Sequence, residues 1–376
     1  LQVLLPIGIS FYTFQIISYT LDVYSGERKP ERHFGVFALF VSFFPQLVAG
    51  PIERSGNLLP QFFEKHEFTY KQSVQGLRLI FWGLFKKVVI ADRLALVVDQ
   101  VYANPTDYSG FSLVLAAVFF VFQVYCDFSG YSDIAVGSAK IMGFDLTKNF
   151  NRPYASRSVS EYWRRWHISL TSWFNDYIFM PLVYTNRRRG VITATVLALL
   201  VTFSLSGLWH GAYWTFILFG LTHGFALCLE YLTRFRRAKL AKSINPKFYS
   251  FFSLCLMFTF ICFVDVFFRA STVADALYII PNMIVGSIDD LRFLIDSGFS
   301  YRSILSLFYG LGVAKTEIAI GLLLIFFLEV AQFVNSRYDI TKLRKWQRWM
   351  VYYTIGLAFV FLGSFNNSIQ FIYFQF

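Results

Sequence analysis

Leu208-Trp209-His210-Gly211-Ala212 set one ionisable imidazole between two apolar runs, Val191 to Leu205 before it and Trp214 to Leu229 after it. A titratable group at membrane depth is costly, and one retained there marks a functional-site hypothesis by default. Histidine is the side chain best suited to take a proton near neutral pH. The chemistry it offers is general-base activation. A hydroxyl is a poor nucleophile until a base within roughly 2.6–3.2 Å accepts its proton. An imidazole sheltered from water stays neutral and can accept it. If the hydroxyl faces a thioester or another activated acyl group, no enzyme-bound ester is needed, and the chain carries no Gly-x-Ser-x-Gly nucleophile elbow. A second polar group could orient the acyl carbonyl or stabilise its oxyanion.

His167 is the candidate for that second role. It lies in Glu161-Tyr162-Trp163-Arg164-Arg165-Trp166-His167-Ile168-Ser169-Leu170. Read as a helix, Trp163, Trp166, His167, Leu170, Trp173, Phe174 and Tyr177 form one stripe. Arg164, Arg165, Thr171, Ser172, Asn175 and Asp176 form the other. This predicts an amphipathic, interfacial helix with aromatic anchors. Taken alone, His167 reads first as a hydrogen-bonded packing residue.

Tyr125-Cys126-Asp127-Phe128-Ser129-Gly130-Tyr131-Ser132-Asp133 puts two carboxylates and several hydroxyls into an apolar segment. Asp127, Ser129, Tyr131 and Asp133 are therefore candidates to line a polar cavity, along with Trp209, Arg164 and Arg165. The competing reading is a kinked helix with an internal salt bridge to Arg152 or Arg165. His223 lies thirteen residues after His210, about 20 Å along a continuous helix and on another face, so the two cannot pair locally. His33 and His66 sit in charged, solvated loops. No metal-ligand spacing is present, and Gly310 to Thr316 lacks the spacing of a phosphate loop. Cys126, Cys228, Cys255 and Cys262 read as buried free thiols.

These residues must be positioned by membrane-spanning helices. The chain is 56% hydrophobic and 20% aromatic, and its 15% charged residues fall well below the roughly 25% of soluble domains. Mean hydropathy is +0.50. Apolar windows suited to spanning are Leu1–Leu21, Phe34–Val48, Val74–Val98, Phe111–Met142, Val191–Trp209, Ala212–Leu232, Phe248–Phe268, Glu317–Val334 and Met350–Phe365. Pro45 interrupts the second, and Lys86, Lys87, Asp92 and Arg93 the third, which predicts broken helices lining a cavity. The net charge of +11 reads as topology rather than nucleic-acid binding, because no reader motif accompanies it. Arg187-Arg188-Arg189, the cluster Arg234 to Lys247, and the cluster Arg337 to Arg348 are all expected on the cytoplasmic side. The first two then flank a hairpin, with His210 near its tip or at a break that Gly207 and Gly211 permit. The C-terminus is expected outside. Asp289–Ser303 is expected to be a loop with a short helix. Residues 1–376 read as one membrane domain, and a start inside an apolar stretch predicts that N-terminal helices are lacking.

Two stretches, Trp163 to Trp173 and Ser206-Gly207-Leu208-Trp209-His210-Gly211, resemble the membrane-bound O-acyltransferase family. Five further stretches narrow the branch: Pro6 to Phe14, Phe44 to Ile52, Asp127 to Asp133, Asn149 to Tyr154, and Phe371 to Phe376. Together they are similar to the bacterial polysaccharide O-acetyltransferase branch, typified by the membrane subunit of alginate O-acetylation. The resemblance implies an all-α polytopic fold, with broken or re-entrant helices around a funnel or tunnel. It implies His210 as the essential histidine and His167 as the second active-site histidine. It implies no bound cofactor. The acyl group, acetyl above all, comes from acetyl-CoA or another acyl thioester in the cytoplasm. The acceptor is an extracytoplasmic cell-envelope glycan, reached through a separate extracytoplasmic transferase subunit in many members. The location implied is the bacterial plasma (inner) membrane. Leu182-Val183-Tyr184-Thr185-Asn186 departs from the family's glycine-rich stretch, which leaves the acceptor open. D-alanyl transfer to teichoic acid is the rival within the family. A non-catalytic transporter or channel is the rival outside it, since intramembrane histidines and carboxylates also mark ion pathways.

Overall fold

The computed structural model describes residues 8–312, 315–337, 343–365 and 371–372. Leu1 to Ile7, Val313-Ala314, Lys342 of the third basic cluster and Tyr373 to Phe376 lie outside the described residues. Among the described residues all regular structure is helical.

Among the described residues five helices are long and apolar enough to cross a bilayer: Gly110–Ile141, Val191–His210, Trp214–Ser243, Pro246–Arg269 and Lys315–Asn335. The chain is a multi-pass membrane protein. These helices match five of the expected windows to within a few residues, except that the third continues past Leu232 and carries Arg234 to Lys242 on exposed turns. Two expected windows are broken, as their sequence implies. Phe34–Ser42 and Phe44–Leu47 are separated at Phe43, whose ψ of 104° is extended ahead of Pro45. Tyr70–Leu84 passes into a π-helix, Phe85–Ala91, before Asp92–Ala103.

Two expectations require correction. Asp289 to Ser297 is not a loop but the end of a 25-residue helix, Val273–Ser297. Thr272 and Asp275 form a reciprocal cap at its start, and Ala276, Ile279, Met283 and Leu294 keep helical spacing on its buried face. Glu161 to Tyr177 is not one amphipathic helix. It divides into Val159–Trp163, a turn, Ile168–Phe174 and a π-helical segment, Asn175–Phe179.

The described residues fall into two compact units. The first comprises the described parts of Leu1–Leu84, Phe128–Phe203 and Gly224–Ser250. One cluster of its core is Phe40, Phe43, Leu58, Leu59, Ala139 and Leu146. Helices Tyr70–Leu84 and Gly110–Ile141 touch along glycines. A Cβ on Gly83 would come 2.5 Å from the Gly130 carbonyl oxygen, and one on Gly76 2.6 Å from that of Gly137. Gly76, Gly83 and Gly137 thus serve close helix contact. The helix runs unbroken through Ser129-Gly130, so it does not end or divide there.

The second unit comprises the described parts of Phe85–Asp127, Ser204–His223 and Phe251–Phe376. Three charged groups of its interior pair with one another. Lys87 Nζ lies 2.8 Å from Asp92 and 2.6 Å from Asp127. Asp127 therefore pairs with Lys87, a partner that the sequence reading did not name. Asp127 also accepts the backbone N–H of Ile372 at 2.9 Å, and the Lys87 ammonium lies 4.8 Å from the Phe371 ring centre. Val88, inside the π-helix, accepts from the Ser364 amide at 3.1 Å, while Arg93 donates to the Leu362 carbonyl at 2.8 and 3.0 Å. Wider π turns occur mostly as local bulges, often at functional positions. Here the segment receives the descending C-terminal chain. Asp290 caps the start of Gly110–Ile141 by accepting from Phe111 N at 2.7 Å.

Candidate active site

His210 is the last residue of helix Val191–His210, and the return helix begins at Trp214. The connection is three residues, Gly211 to Tyr213. The two helices run antiparallel. Cys228 Sγ meets the Val196 carbonyl at 3.6 Å, and a Cβ on Gly224 would lie 3.3 Å from Phe203. Nearer the turn, a Cβ on Gly207 would come 2.3 Å from the Phe216 carbonyl oxygen. Gly207 thus permits close packing rather than a break, and the break falls at Gly211 to Tyr213.

The His210 residue is half-buried, and its Nδ1 is shut off from solvent. Its ring centre lies 5.0 Å from Phe268, 6.0 Å from Phe219 and 6.3 Å from Phe216. The adjacent Trp209 ring is 4.7 Å away. His223 is fully buried, with Phe219 at 4.8 Å and Phe260 at 5.5 Å. The turn brings His223 back toward His210, so that Phe219 packs on both imidazoles. The separation expected on a continuous helix does not apply.

His167 belongs to the first unit and His210 to the second. His167 is 1% exposed and has φ 41° and ψ 54°, a left-handed conformation uncommon outside glycine. Phe128 meets its ring edge-on at 4.6 Å and Phe11 stacks at 6.3 Å. The turn is imposed from a distant segment. The Asn149 carbonyl accepts from Ile168 N at 2.9 Å, and the Arg165 carbonyl accepts from Asn151 N at 2.9 Å. Asn149 Oδ1 accepts from Ser169 Oγ at 2.6 Å, Asn149 Nδ2 donates to Ser132 Oγ at 3.3 Å, and Ser169 Oγ accepts from Ile52 N at 3.0 Å. All four residues are buried. A satisfied buried network of this kind fixes geometry, and a strained residue within one is a candidate for function.

The other candidate lining residues separate. Asp127 belongs to the second unit and pairs with Lys87. Ser129, Tyr131 and Asp133 belong to the first; Ser129 is buried, while Tyr131 and Asp133 are half-buried. Tyr131 meets the backbone of Val48 and Ala49. Arg164 is exposed, and Arg165 pairs with Glu161 at 2.8 Å. Trp209 is half-buried beside His210. The aromatic stripe expected around His167 does turn inward: Trp163, Trp166, Leu170, Trp173 and Phe174 are all buried. Of the four free thiols three are buried, but Cys255 is exposed.

Sequence reading passed over Glu53, Asn149 and Ser169 as site residues. Glu53 is fully buried and accepts from Asn57 at 2.6 Å and Thr147 Oγ1 at 3.2 Å. Burial holds its carboxyl above the ordinary 4.5, opposed by those hydrogen bonds. It ties residues 53–57 to the segment that carries Asn149. No spacing signals it, because Thr147, its partner in that segment, lies 94 residues away in sequence. Among the described residues no three His, Cys, Asp or Glu side chains converge as metal ligands.

The membrane-bound O-acyltransferase family model matches residues 31–268, a stretch that holds both histidines. The chain belongs to that family. It is 43% identical over 283 residues to a probable alginate O-acetylase of Pseudomonas syringae pv. tomato, covering 74% of this chain and 52% of the relative. It is 36% identical over 310 residues to a peptidoglycan O-acetyltransferase of Helicobacter pylori, covering 76% and 58%. A teichoic acid D-alanyltransferase of Bacillus subtilis is 27% identical over 275 residues, covering 68% and 67%. The chain spans about half the length of the alginate O-acetylases it matches.

Proposed function

We propose that this chain is a membrane O-acetyltransferase that passes an acetyl group from a cytoplasmic thioester, acetyl-CoA above all, toward a hydroxyl of an extracytoplasmic envelope polysaccharide. His210 is the general base. The observation that carries this reading is a half-buried imidazole at a helix terminus, at the break of an apolar hairpin, in a chain of this family. The acceptor hydroxyl gives its proton to His210, its oxygen forms the new bond to the acyl carbon, and the carbon–sulfur bond breaks. The departing thiolate takes the proton from the imidazolium. His167, held in its strained turn, is carried in this proposal as the second histidine of the branch.

The names of the relatives favour acetyl over D-alanyl: the acetyltransferases stand at 43% and 36% identity, the D-alanyltransferase at 27%. A separate extracytoplasmic subunit completing the handover, and residence in the bacterial inner membrane, belong to the same proposal. The test is ester-linked acyl groups released by mild base from envelope polymers, with and without the gene. Acetate that disappears with the gene supports the reading. Released D-alanine that disappears instead would shift it to D-alanylation, and no change in any ester would leave a transporter role.

A further inference from the structure

Three phenylalanines build one wall beside His210. Phe268 lies nearest, at 5.0 Å and edge-on. It also touches Phe219 at 5.1 Å, Phe216 at 5.2 Å and Phe120 at 6.3 Å. None of Phe216, Phe219 and Phe268 is more than 6% exposed. Phe216 and Phe219 come from the hairpin itself, whereas Phe268 comes from helix Pro246–Arg269. That helix end is anchored: Arg269 pairs with Asp99 at 2.7 Å and lies 5.4 Å from the Tyr102 ring centre. The wall is therefore buried, and Phe268 is its hub.

We infer that Phe268 is a specificity-determining residue that holds the transferred acyl group to acetyl size; this rests on His210 being the base of the transfer proposed above. The reacting hydroxyl oxygen lies about 2.6–3.2 Å from the imidazole, and the acyl carbon about 3–3.5 Å from that oxygen. The acyl carbon is thus confined to the surroundings of the His210 ring, where the phenylalanine wall already stands. A methyl fits beside such a wall. Each added methylene on that side must displace a ring that packs on three others. Close-packed interiors resist such overpacking. Removing the hub opens an apolar cavity, and cavities of that kind stay dry and take up apolar guests.

The test uses membranes containing the full chain and its envelope polymer, with acetyl, propionyl and butyryl thioesters of coenzyme A as donors. Base-labile ester on the polymer is the readout. The wild type is expected to favour acetyl. Phe268→Ala is expected to shift the butyryl-to-acetyl ratio toward butyryl by about tenfold or more, within the range a methylene-sized pocket change commands. Phe268→Leu is expected to fall between the two. Phe258→Ala, on the same helix but packed against Phe122 at 5.9 Å, is expected to leave the ratio unchanged. An unaltered ratio in both Phe268 variants overturns the inference. So does a wild type that takes butyryl as readily as acetyl, or loss of transfer with every donor in both variants still present in the membrane. Absence of transfer by the wild type, or full transfer by His210→Gln, instead removes the underlying reaction and the inference with it.

Discussion

Lys87 stands between two carboxylates in a part of the protein with little water, and its removal shows what a buried charge costs. The side chains of Lys87, Asp92 and Asp127 are 10%, 9% and 2% exposed, so solvent cannot take over the pairing. Deleting one partner of a buried pair typically costs about 3–5 kcal/mol, because the other charge is left uncompensated. Lys87→Met is therefore expected to lower the thermal midpoint in detergent strongly, whereas Asp92→Asn, which leaves Lys87 paired with Asp127, is expected to cost much less. Equal midpoints for wild type and Lys87→Met would contradict the pairing. Glu53 carries a pH prediction. Its folded-state carboxyl is held above 4.5 by burial, so the folded chain keeps a proton that the unfolded chain loses first. Stability attributable to Glu53 is then present below 4.5 and falls as pH rises through the folded value. Glu53→Gln is expected to flatten that decline in a pH series of unfolding midpoints; a decline as steep as the wild type's would exclude Glu53 as its source. The sheltered position of His210 was legible from the sequence because it lies between two apolar runs. The burial of Glu53 was not legible, since nothing near it in sequence reveals Thr147.

Among the elements, the bilayer makes the long helices readable. A span needs about 20 apolar residues, and five such windows became five helices. The turn at His167 was hidden by the same logic. Trp163, Trp166, Leu170 and Trp173 keep helical spacing across it, yet Asn149 and Asn151 supply hydrogen bonds that replace the helical ones. Removing the Asn149 side chain abandons its bonds to Ser169 and Ser132, both buried. Asn149→Ala is expected to cost about 1–3 kcal/mol and to reduce acyl transfer as the His167 turn loosens. Wild-type transfer and wild-type stability in this variant would show that the network does not hold the turn. Close helix contact was legible only as a glycine, not as a partner. Gly207 was read as a place to break, and its neighbour Phe216 came into view only with the return helix beside it.

For the whole molecule, the testable statement is topological. The antiparallel hairpin brings Arg187 to Arg189 and the cluster beginning at Arg234 to the same end, and basic residues collect on the cytoplasmic side. With Cys255 replaced and the three buried thiols left in place, Arg188→Cys and Lys239→Cys are expected to react with an impermeant thiol reagent from the cytoplasmic face alone. Labelling of the two from opposite faces would contradict the hairpin. The sequence foretold the hairpin, because two basic clusters flank a stretch with room for two spans. It did not foretell the 25-residue helix Val273–Ser297, whose polar positions concealed a buried stripe.

One measurement bears on all of this most directly: acyl transfer to envelope polymer in membranes carrying His210→Gln, set against wild type at equal protein level. Loss of a general base typically costs about 10²- to 10⁴-fold, and a fall of at least about a hundredfold is expected here, with the variant still inserted and folded. Transfer by His210→Gln at close to the wild-type rate would mean that this imidazole does not accept the hydroxyl proton.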